Sequence, residues 1–180
     1  MKKMMYDLIG IGIGPFNLGL AALTDSIDNL NSLFFDLKPE FDWHGGMMLE
    51  GTKLQVPFHA DLVTLADPQS PFSFLCYLKA KKRLFRFTIR EEYFPLRSEY
   101  NDYCKWVCEQ LENLRFNTEC TQIEYDNSLQ CYLVNVIDKK TAYIECYHTK
   151  HLIIGIGTTP YKPSCVPKEN RSIMHSSMYM

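Results

Sequence analysis

The chain lacks several features that would assign it to common functional classes. Its 19 basic and 21 acidic residues give a net charge of −2, so no excess positive charge is present to bind nucleic acid. No apolar stretch is long enough to span a membrane, and there is no internal repeat. The lysines at the start precede a run that contains Asp7 and several glycines, which is typical of a first strand and not of a signal peptide.

Cysteine usage also excludes two kinds of site. The seven cysteines are odd in number and contain no C-x-x-C pair, so neither a disulfide framework nor a zinc site is predicted. The histidines likewise show no spacing typical of metal ligands. Unpaired thiols are usual in a reducing compartment, and we therefore expect the protein to be cytoplasmic.

A glycine-rich stretch near the amino end is the most informative part of the sequence. Tyr6 to Ile11 is a short apolar run typical of a buried parallel strand, and Gly12 to Gly14 form a tight turn. Pro15 then suits the first turn of a helix, where its missing N–H costs little. A strand, a glycine turn and a helix start together create a site for a phosphate, because free backbone N–H groups and the positive helix end point outward.

An acidic residue follows at the distance expected for a dinucleotide-binding domain. A second apolar run, Ser32 to Phe35, ends in Asp36, which lies 24 residues after Gly12. A carboxylate in this place binds the adenosine ribose hydroxyls. The third fingerprint glycine is replaced by Asn17, so the alternative is an ordinary α/β protein with a glycine-rich turn and a solvated acid at a strand end.

The order of the remaining elements favours FAD over NAD as the cofactor. Ser70 and Pro71 predict the start of one helix, and apolar residues at intervals of three and four predict a second helix over Ser98–Asn113. Three strand-like segments and a final apolar strand follow: Thr121–Tyr125, Cys131–Ile137, Thr141–Tyr147 and His151–Ile154. We predict an α/β, Rossmann-like FAD-binding domain whose parallel sheet carries a β-meander crossover.

Motifs across the whole chain resemble one enzyme family. They are Gly12-Ile13-Gly14-Pro15-Phe16-Asn17-Leu18, the run from Phe41 to Met47, Leu54 to Phe58 with Asp61 to Thr64, Asp67 to Leu75, Arg97 to Tyr100, and Gly155 to Pro160. In this combination and order the chain resembles the N-terminal part of the flavin-dependent N-hydroxylating monooxygenases of siderophore biosynthesis, which include lysine N6-hydroxylase and ornithine N5-oxygenase.

The resemblance implies particular cofactor contacts and a reaction. FAD would contact Gly12, Gly14, Pro15, Phe16, Asn17, Asp36, Lys38, Trp43, His44, Gln55 and Cys120. NADPH is the co-substrate that reduces FAD, and the reduced flavin uses O₂ to hydroxylate a neutral primary amine. Because the cofactor carries the chemistry, no catalytic side chain is predicted.

The first departure from the family concerns the substrate. Members that act on lysine or ornithine carry a lysine, just before the Asp-Leu motif, that holds the substrate α-carboxylate; here that residue is Ala60. Alanine forms no charge-assisted bond with a carboxylate. One hypothesis is that the amine lacks this group, as putrescine, cadaverine and histamine do. The other is that His59 or another group replaces the lysine.

The second departure concerns length. The chain reaches Met180 soon after the Gly155–Pro160 motif, and family members continue into an NADPH-binding domain. We therefore expect residues 1–160 to form the FAD-binding portion, truncated before that domain, and 161–180 to be a tail that leads toward it. The alternatives are an inactive flavin- or nucleotide-binding fragment, a subunit of a split enzyme that needs a C-terminal partner chain or forms a homo-oligomer, and an NAD-binding protein without flavin.

Overall fold

A computed structural model of the chain describes residues 4–166 and 173–179. It contains six strands: β1 (Met5–Ile11), β2 (Ser32–Phe35), β3 (Leu114–Arg115), β4 (Thr118–Asp126), β5 (Cys131–Asp138) and β6 (Ile144–Ile154). Its helices are α1 (Pro15–Asp25), α2 (Phe74–Ala80), α3 (Leu84–Ile89) and α4 (Arg97–Cys108). Two short 3-10 helices cover Gly45–Met47 and Ser176–Met178.

The strands form one mixed sheet with the order β3-β2-β1-β6-β5-β4. The pairs β3–β2, β2–β1 and β1–β6 are parallel, and the pairs β6–β5 and β5–β4 are antiparallel. Parallel strands joined through α1, followed by an antiparallel meander, are the α/β arrangement that the sequence predicts. The predicted fold class is therefore confirmed.

The two faces of β1 and β2 bury different partners, as the alternation of side chains in a strand requires. On one face, Leu8 and Phe34 belong to the large core that α1, α2 and α4 complete. On the other face, Ile9, Leu33 and Phe35 pack with residues of β5, namely Val134 and Val136. The meander thus covers the face of the parallel strands opposite the helices, which makes it the predicted crossover.

The helix predictions are right in kind and differ at the ends. α2 begins at Phe74 with Ser73 as its cap, because the Ser73 hydroxyl accepts a hydrogen bond from the Cys76 amide (3.3 Å). Ser70 is not the cap; its hydroxyl accepts from the Phe72 amide and closes a turn before the helix. α4 ends at Cys108, earlier than predicted, although the predicted apolar residues beyond it, Leu111 and Leu114, are still buried.

The last two predicted strands are a single strand, β6. Its first half pairs antiparallel with β5 and its second half pairs parallel with β1, and the registers overlap at His148 and Thr149. The exposed Lys150 and His151 interrupt the apolar pattern, so the sequence suggests a break that the backbone does not make. Continuous pairing on two partners satisfies the backbone groups across this polar segment.

The described residues contain neither a membrane-spanning helix nor a group of metal-binding side chains. In the part of the chain that the structure describes, no helix has both the length and the apolarity that crossing a membrane requires. Within 4–166 and 173–179, no three His, Cys, Asp or Glu side chains are grouped so that they could hold a metal ion.

The half-buried thiol of Cys108 predicts a loss of stability at alkaline pH. Burial raises its pKa from the ordinary 9.0 to about 12, so the fold favours the neutral thiol. This contribution to the free energy of unfolding is complete below pH 9 and is lost as the pH rises toward 12. Between pH 8 and 10.5, Cys108→Ala should lose about 2 kcal/mol less stability than the parent chain in urea unfolding. Cys165→Ala, which changes an exposed thiol, should behave like the parent; equal losses in all three proteins would contradict the prediction.

Candidate functional site

The glycine turn after β1 leaves an open helix start. Gly12 has φ +86°, a conformation that favours glycine, and its amide donates to the Phe35 carbonyl of β2 (2.7 Å). Gly14 is the residue before α1, and Pro15 is the first helical residue, as predicted. No side chain caps this helix and no acidic residue lies in its first turn. The first-turn N–H groups and the positive helix end are therefore available to an anion.

Asn17 stabilises the turn from within α1. Its side chain is buried, and Nδ2 donates to the carbonyl oxygens of Gly12 (2.7 Å) and Ile11 (3.2 Å). The fingerprint places a glycine here so that helix and strand approach closely. In this chain the Asn17 side chain occupies that space and stabilises the turn through its two hydrogen bonds.

Gly155 completes the packing around the turn. Its amide donates to the Ile11 carbonyl (2.7 Å), and a Cβ at this position would lie 2.6 Å from Asn17 Nδ2. A Cβ at Gly12 would in turn lie 2.5 Å from the Gly155 carbonyl oxygen. The sequence motif contains Gly155, but its contact with the turn was not predicted. The sequence feature that could have indicated this contact is a glycine directly after the last buried strand.

Asp36 lies directly beside the glycine turn. The side chain is buried at the end of β2, and Oδ2 accepts a hydrogen bond from the Ile13 amide (2.7 Å) while Oδ1 accepts from the Lys38 amide (2.8 Å). Each carboxylate oxygen retains a further lone pair with which to accept a hydroxyl. The acid and the turn, 24 residues apart in sequence, thus form one crevice at the carboxyl ends of β1 and β2.

Three other predicted residues lie around this crevice. Lys38 Nζ is 4.0 Å from Asp36 Oδ2 and donates to the Asp42 carbonyl (2.8 Å). The Thr118 amide donates to the Asp36 carbonyl (2.9 Å), which brings the start of β4 and the half-buried Cys120 to the same region. Phe16, in the first turn of α1, exposes 94% of its surface.

The aromatic loop after β2 is held by the start of α4. The Trp43 amide donates to Asn101 Oδ1 (3.0 Å), and the Arg97 guanidinium lies 4.9 Å from the centre of the Trp43 ring. His44 is exposed with φ +54° and precedes the Gly45–Met47 turn. Sequence reasoning missed Arg97 and Asn101 as partners of this loop.

The segment with Gln55, His59 and Ala60 is also attached near α4. The amides of Leu54 and Phe58 donate to the carbonyls of Pro95 (2.9 Å) and Tyr93 (2.8 Å). Gln55 and His59 are exposed, and Ala60 is half-buried. The structure thus joins the glycine turn directly to Asp36, and through Asp36 to Lys38. It joins the two loops to the residues that precede and begin α4.

The end of the tail packs on the aromatic loop. The 3-10 helix Ser176–Met178 lies against the Gly45–Met47 turn, and a Cβ at Gly46 would meet the Ser177 carbonyl oxygen. Within the predicted tail, 161–166 are described and form neither helix nor strand, whereas 167–172 and 180 lie outside the described residues. The division at residue 160 stays a prediction.

Comparison with known proteins identifies close relatives. The sequence profile of the L-lysine 6-monooxygenase/L-ornithine 5-monooxygenase family matches residues 4–180. The chain is 51% identical over 179 residues to a putrescine N-hydroxylase of Acinetobacter baumannii, covering 99% of this chain and 40% of the relative. It is 49% identical over 180 residues to a putrescine N-hydroxylase of Shewanella oneidensis, covering 100% of this chain and 36% of the relative.

A solved structure shows the same fold. The chain superposes with a TM-score of 0.96 on the FAD-bound crystal structure of DfoA, the cadaverine monooxygenase of desferrioxamine biosynthesis in Erwinia amylovora. The two are 48% identical, and the match covers 98% of this chain and 41% of the other. The chain therefore spans about two fifths of the length of these relatives.

The contact between Gly12 and Gly155 predicts that a side chain at Gly12 would destabilise the fold by more than the strain of its positive φ alone. Gly12→Ala should lower the free energy of unfolding by about 3 kcal/mol or more, because the new methyl group meets the carbonyl oxygen of Gly155. Gly51 also has a positive φ, +74°, but nothing lies within 4 Å of the position that a Cβ would take there, so Gly51→Ala should cost only about 1 kcal/mol. Urea unfolding measures the stability of both variants. Equal losses of unfolding free energy would show that the contact between Gly12 and Gly155 does not contribute to stability.

Proposed function

Because the chain belongs to the L-lysine 6-monooxygenase/L-ornithine 5-monooxygenase family, we propose that it is the FAD-binding part of a siderophore-pathway amine N-hydroxylase. The observation that carries this proposal is the hydrogen bond from the Ile13 amide to Asp36, which unites the glycine turn and the acid in one crevice. A dinucleotide needs both features together, one for its diphosphate and the other for its ribose. A solvated acid at an unrelated strand end would have no such contact.

The residues in the crevice suit the adenosine and diphosphate halves of FAD. The uncapped first turn of α1, with Gly12 and Gly14 before it, would hold the diphosphate. The free lone pairs of Asp36 would accept the ribose hydroxyls, and the backbone near Cys120 would lie at the adenine. The loops that carry Trp43, His44 and Gln55 would surround the flavin ring, with Lys38 and Phe16 at the edges of the crevice.

The proposed reaction is the NADPH- and O₂-dependent conversion of a primary amine to a hydroxylamine. FAD, when bound, supplies the redox chemistry and the activation of O₂. The protein's part is to hold the cofactor, orient the amine and exclude water. Family relatives are more than twice as long as this chain, so NADPH and part of the amine would be held by residues that correspond to their remaining length.

We propose that the amine is a diamine without a carboxylate. Ala60 provides no cation for an α-carboxylate, and the three similar proteins described above are named for putrescine or cadaverine. His59 is the competing explanation, since an exposed imidazole in the adjacent position could donate a hydrogen bond to a carboxylate.

A second proposal concerns this polypeptide by itself. Because it spans about two fifths of its relatives, it would bind FAD without completing the NADPH-dependent reaction unless a further segment, or a partner chain, were present. The test is to add a polypeptide equivalent to the relatives' remaining length. NADPH oxidation that appears only after this addition supports a split enzyme, and FAD binding without turnover in either case supports an inactive flavin-binding protein.

Flavin binding is tested by removing the charge of Asp36. The purified chain should be yellow and release FAD on heating, and Asp36→Asn should weaken FAD binding at least tenfold, as measured by quenching of flavin fluorescence. Asp126→Asn is the matched control, because Asp126 also accepts backbone N–H groups, from Ser128 and Leu129, but in an exposed hairpin turn. A colourless chain that binds NAD would overturn the flavin proposal.

The amine preference is tested by restoring the missing cation. In the protein expressed from its complete reading frame, cadaverine or putrescine should give a higher kcat/KM than lysine. Ala60→Lys should shift this ratio toward lysine by about tenfold or more, because a charge-assisted bond to the carboxylate is gained. His59→Gln distinguishes the competing explanation: loss of an existing preference for lysine in this variant would show that His59 holds the carboxylate.

A further inference from the structure

One carboxylate outside the cofactor crevice has all of its acceptor positions engaged. Asp61 Oδ1 accepts hydrogen bonds from the amides of Val63 (2.9 Å) and Thr64 (2.7 Å). Its Oδ2 accepts from the Thr64 hydroxyl (2.7 Å) and from the Phe74 amide at the start of α2 (2.7 Å). The first three bonds close a local turn, and the fourth fixes that turn to a helix 13 residues further along the chain.

A carboxylate is the group that this arrangement requires. Four donors converge on two oxygens, and an ionised carboxylate offers acceptor positions only. Asparagine would place an NH₂ group opposite a backbone N–H donor, and it would leave either the Phe74 amide or the amides of Val63 and Thr64 without an acceptor. The segment from Gln55 to Ser73 is neither helix nor strand, so side chains supply part of the hydrogen bonding that a regular element would provide from its backbone.

Tyr103 of α4 provides a second attachment next to Asp61. Its buried hydroxyl accepts from the Leu62 amide (3.3 Å) and donates to the Phe72 carbonyl (2.7 Å). Burial, together with the nearby charge of Asp61, raises the pKa of Tyr103 well above its ordinary value, so the hydroxyl keeps its proton and remains a donor.

The other side of Leu62 rests on α1. A Cβ at Gly19 would lie 2.7 Å from the Leu62 carbonyl oxygen, so the helix and this loop are in direct backbone contact. α1 is the helix whose first turn forms the cofactor crevice. The segment that ends at Leu62 is therefore positioned from three directions: from α2 through Asp61, from α4 through Tyr103, and from α1 through Gly19.

We propose that Asp61 is a positioning residue that sets the distance between the segment bearing His59 and Ala60 and the cofactor turn on α1. The inference rests on the proposed function, since it gives those two residues a place beside the amine. Displacement of this segment would move the amine relative to the cofactor while leaving the diphosphate crevice intact. A variant that displaces this segment should therefore show a raised KM for the amine, or poorer coupling of NADPH oxidation to hydroxylation, with nearly unchanged FAD affinity.

The test compares Asp61→Asn with Asp67→Asn in the protein expressed from its complete reading frame. Asp67 lies on the same loop, but its Oδ1 accepts only the Gln69 amide (3.1 Å), which asparagine also satisfies. Asp61→Asn should raise the KM for the amine, or the share of NADPH oxidised without hydroxylamine, at least tenfold, with FAD affinity within threefold of the parent. Asp67→Asn should match the parent in all three quantities.

Two further variants keep the proposal testable if Asp61→Asn does not fold. Tyr103→Phe keeps the ring and removes the hydroxyl, and Gly19→Ala pushes on the Leu62 carbonyl from α1; both should raise the amine KM several-fold at near-parent FAD affinity. The visible circular dichroism of bound FAD can be measured without turnover. It should change in Asp61→Asn, Tyr103→Phe and Gly19→Ala but not in Asp67→Asn.

The outcomes separate the two proposals. A parent protein that binds no FAD would refute the proposed function. A parent protein that binds FAD and hydroxylates the amine, with Asp61→Asn, Tyr103→Phe and Gly19→Ala variants indistinguishable from it in KM, coupling and flavin dichroism, would refute the positioning role alone. Equal losses of FAD affinity and amine use in the three variants would also refute it, because they would indicate a general loss of structure.

Discussion

The structure depends on close backbone approach where β1, β2 and β6 end. Gly12, Asn17 and Gly155 occupy a space in which no additional Cβ atom fits, and their hydrogen bonds join the last residues of β1 to α1 and β6. The residue before α1 is Gly14, which has no side chain to cap the helix, so the same turn leaves a place where an anion can bind. The same geometry thus supports both the packing of the sheet and the proposed cofactor crevice.

The second organising feature is the way in which irregular loops are attached to helices. The loops between β2 and α2 have little regular structure, and they are held by Arg97 and Asn101 at Trp43, by Tyr103 at Leu62 and by Asp61 at Phe74. Three of these partners belong to α4, and Tyr103 is among the residues that anchor this helix in the core. Long loops that carry function need such a rigid support, because few backbone bonds fix them otherwise.

Family membership and the geometry of the crevice support different parts of the interpretation. The family match covers residues 4–180 and concerns the type of enzyme. The contacts of Asp36 and the glycine turn concern how a dinucleotide would be held. In the two proposals, Ala60 governs the choice of amine and its neighbour Asp61 the position of that segment, so each proposal rests on residues other than those that would hold the dinucleotide.

The sequence by itself determined the local features. Strand, turn and helix at Met5–Asp25 follow from an apolar run, two glycines and a proline, and the buried side of α4 follows from the spacing of its apolar residues. Only the tertiary structure decided that Gly155 contacts the glycine turn, that β6 is one strand with two partners, and that Asp61 reaches Phe74. Local patterns arise from the conformational preferences of neighbouring residues, whereas these contacts join segments brought together by burial of the whole core, which no short stretch of sequence specifies.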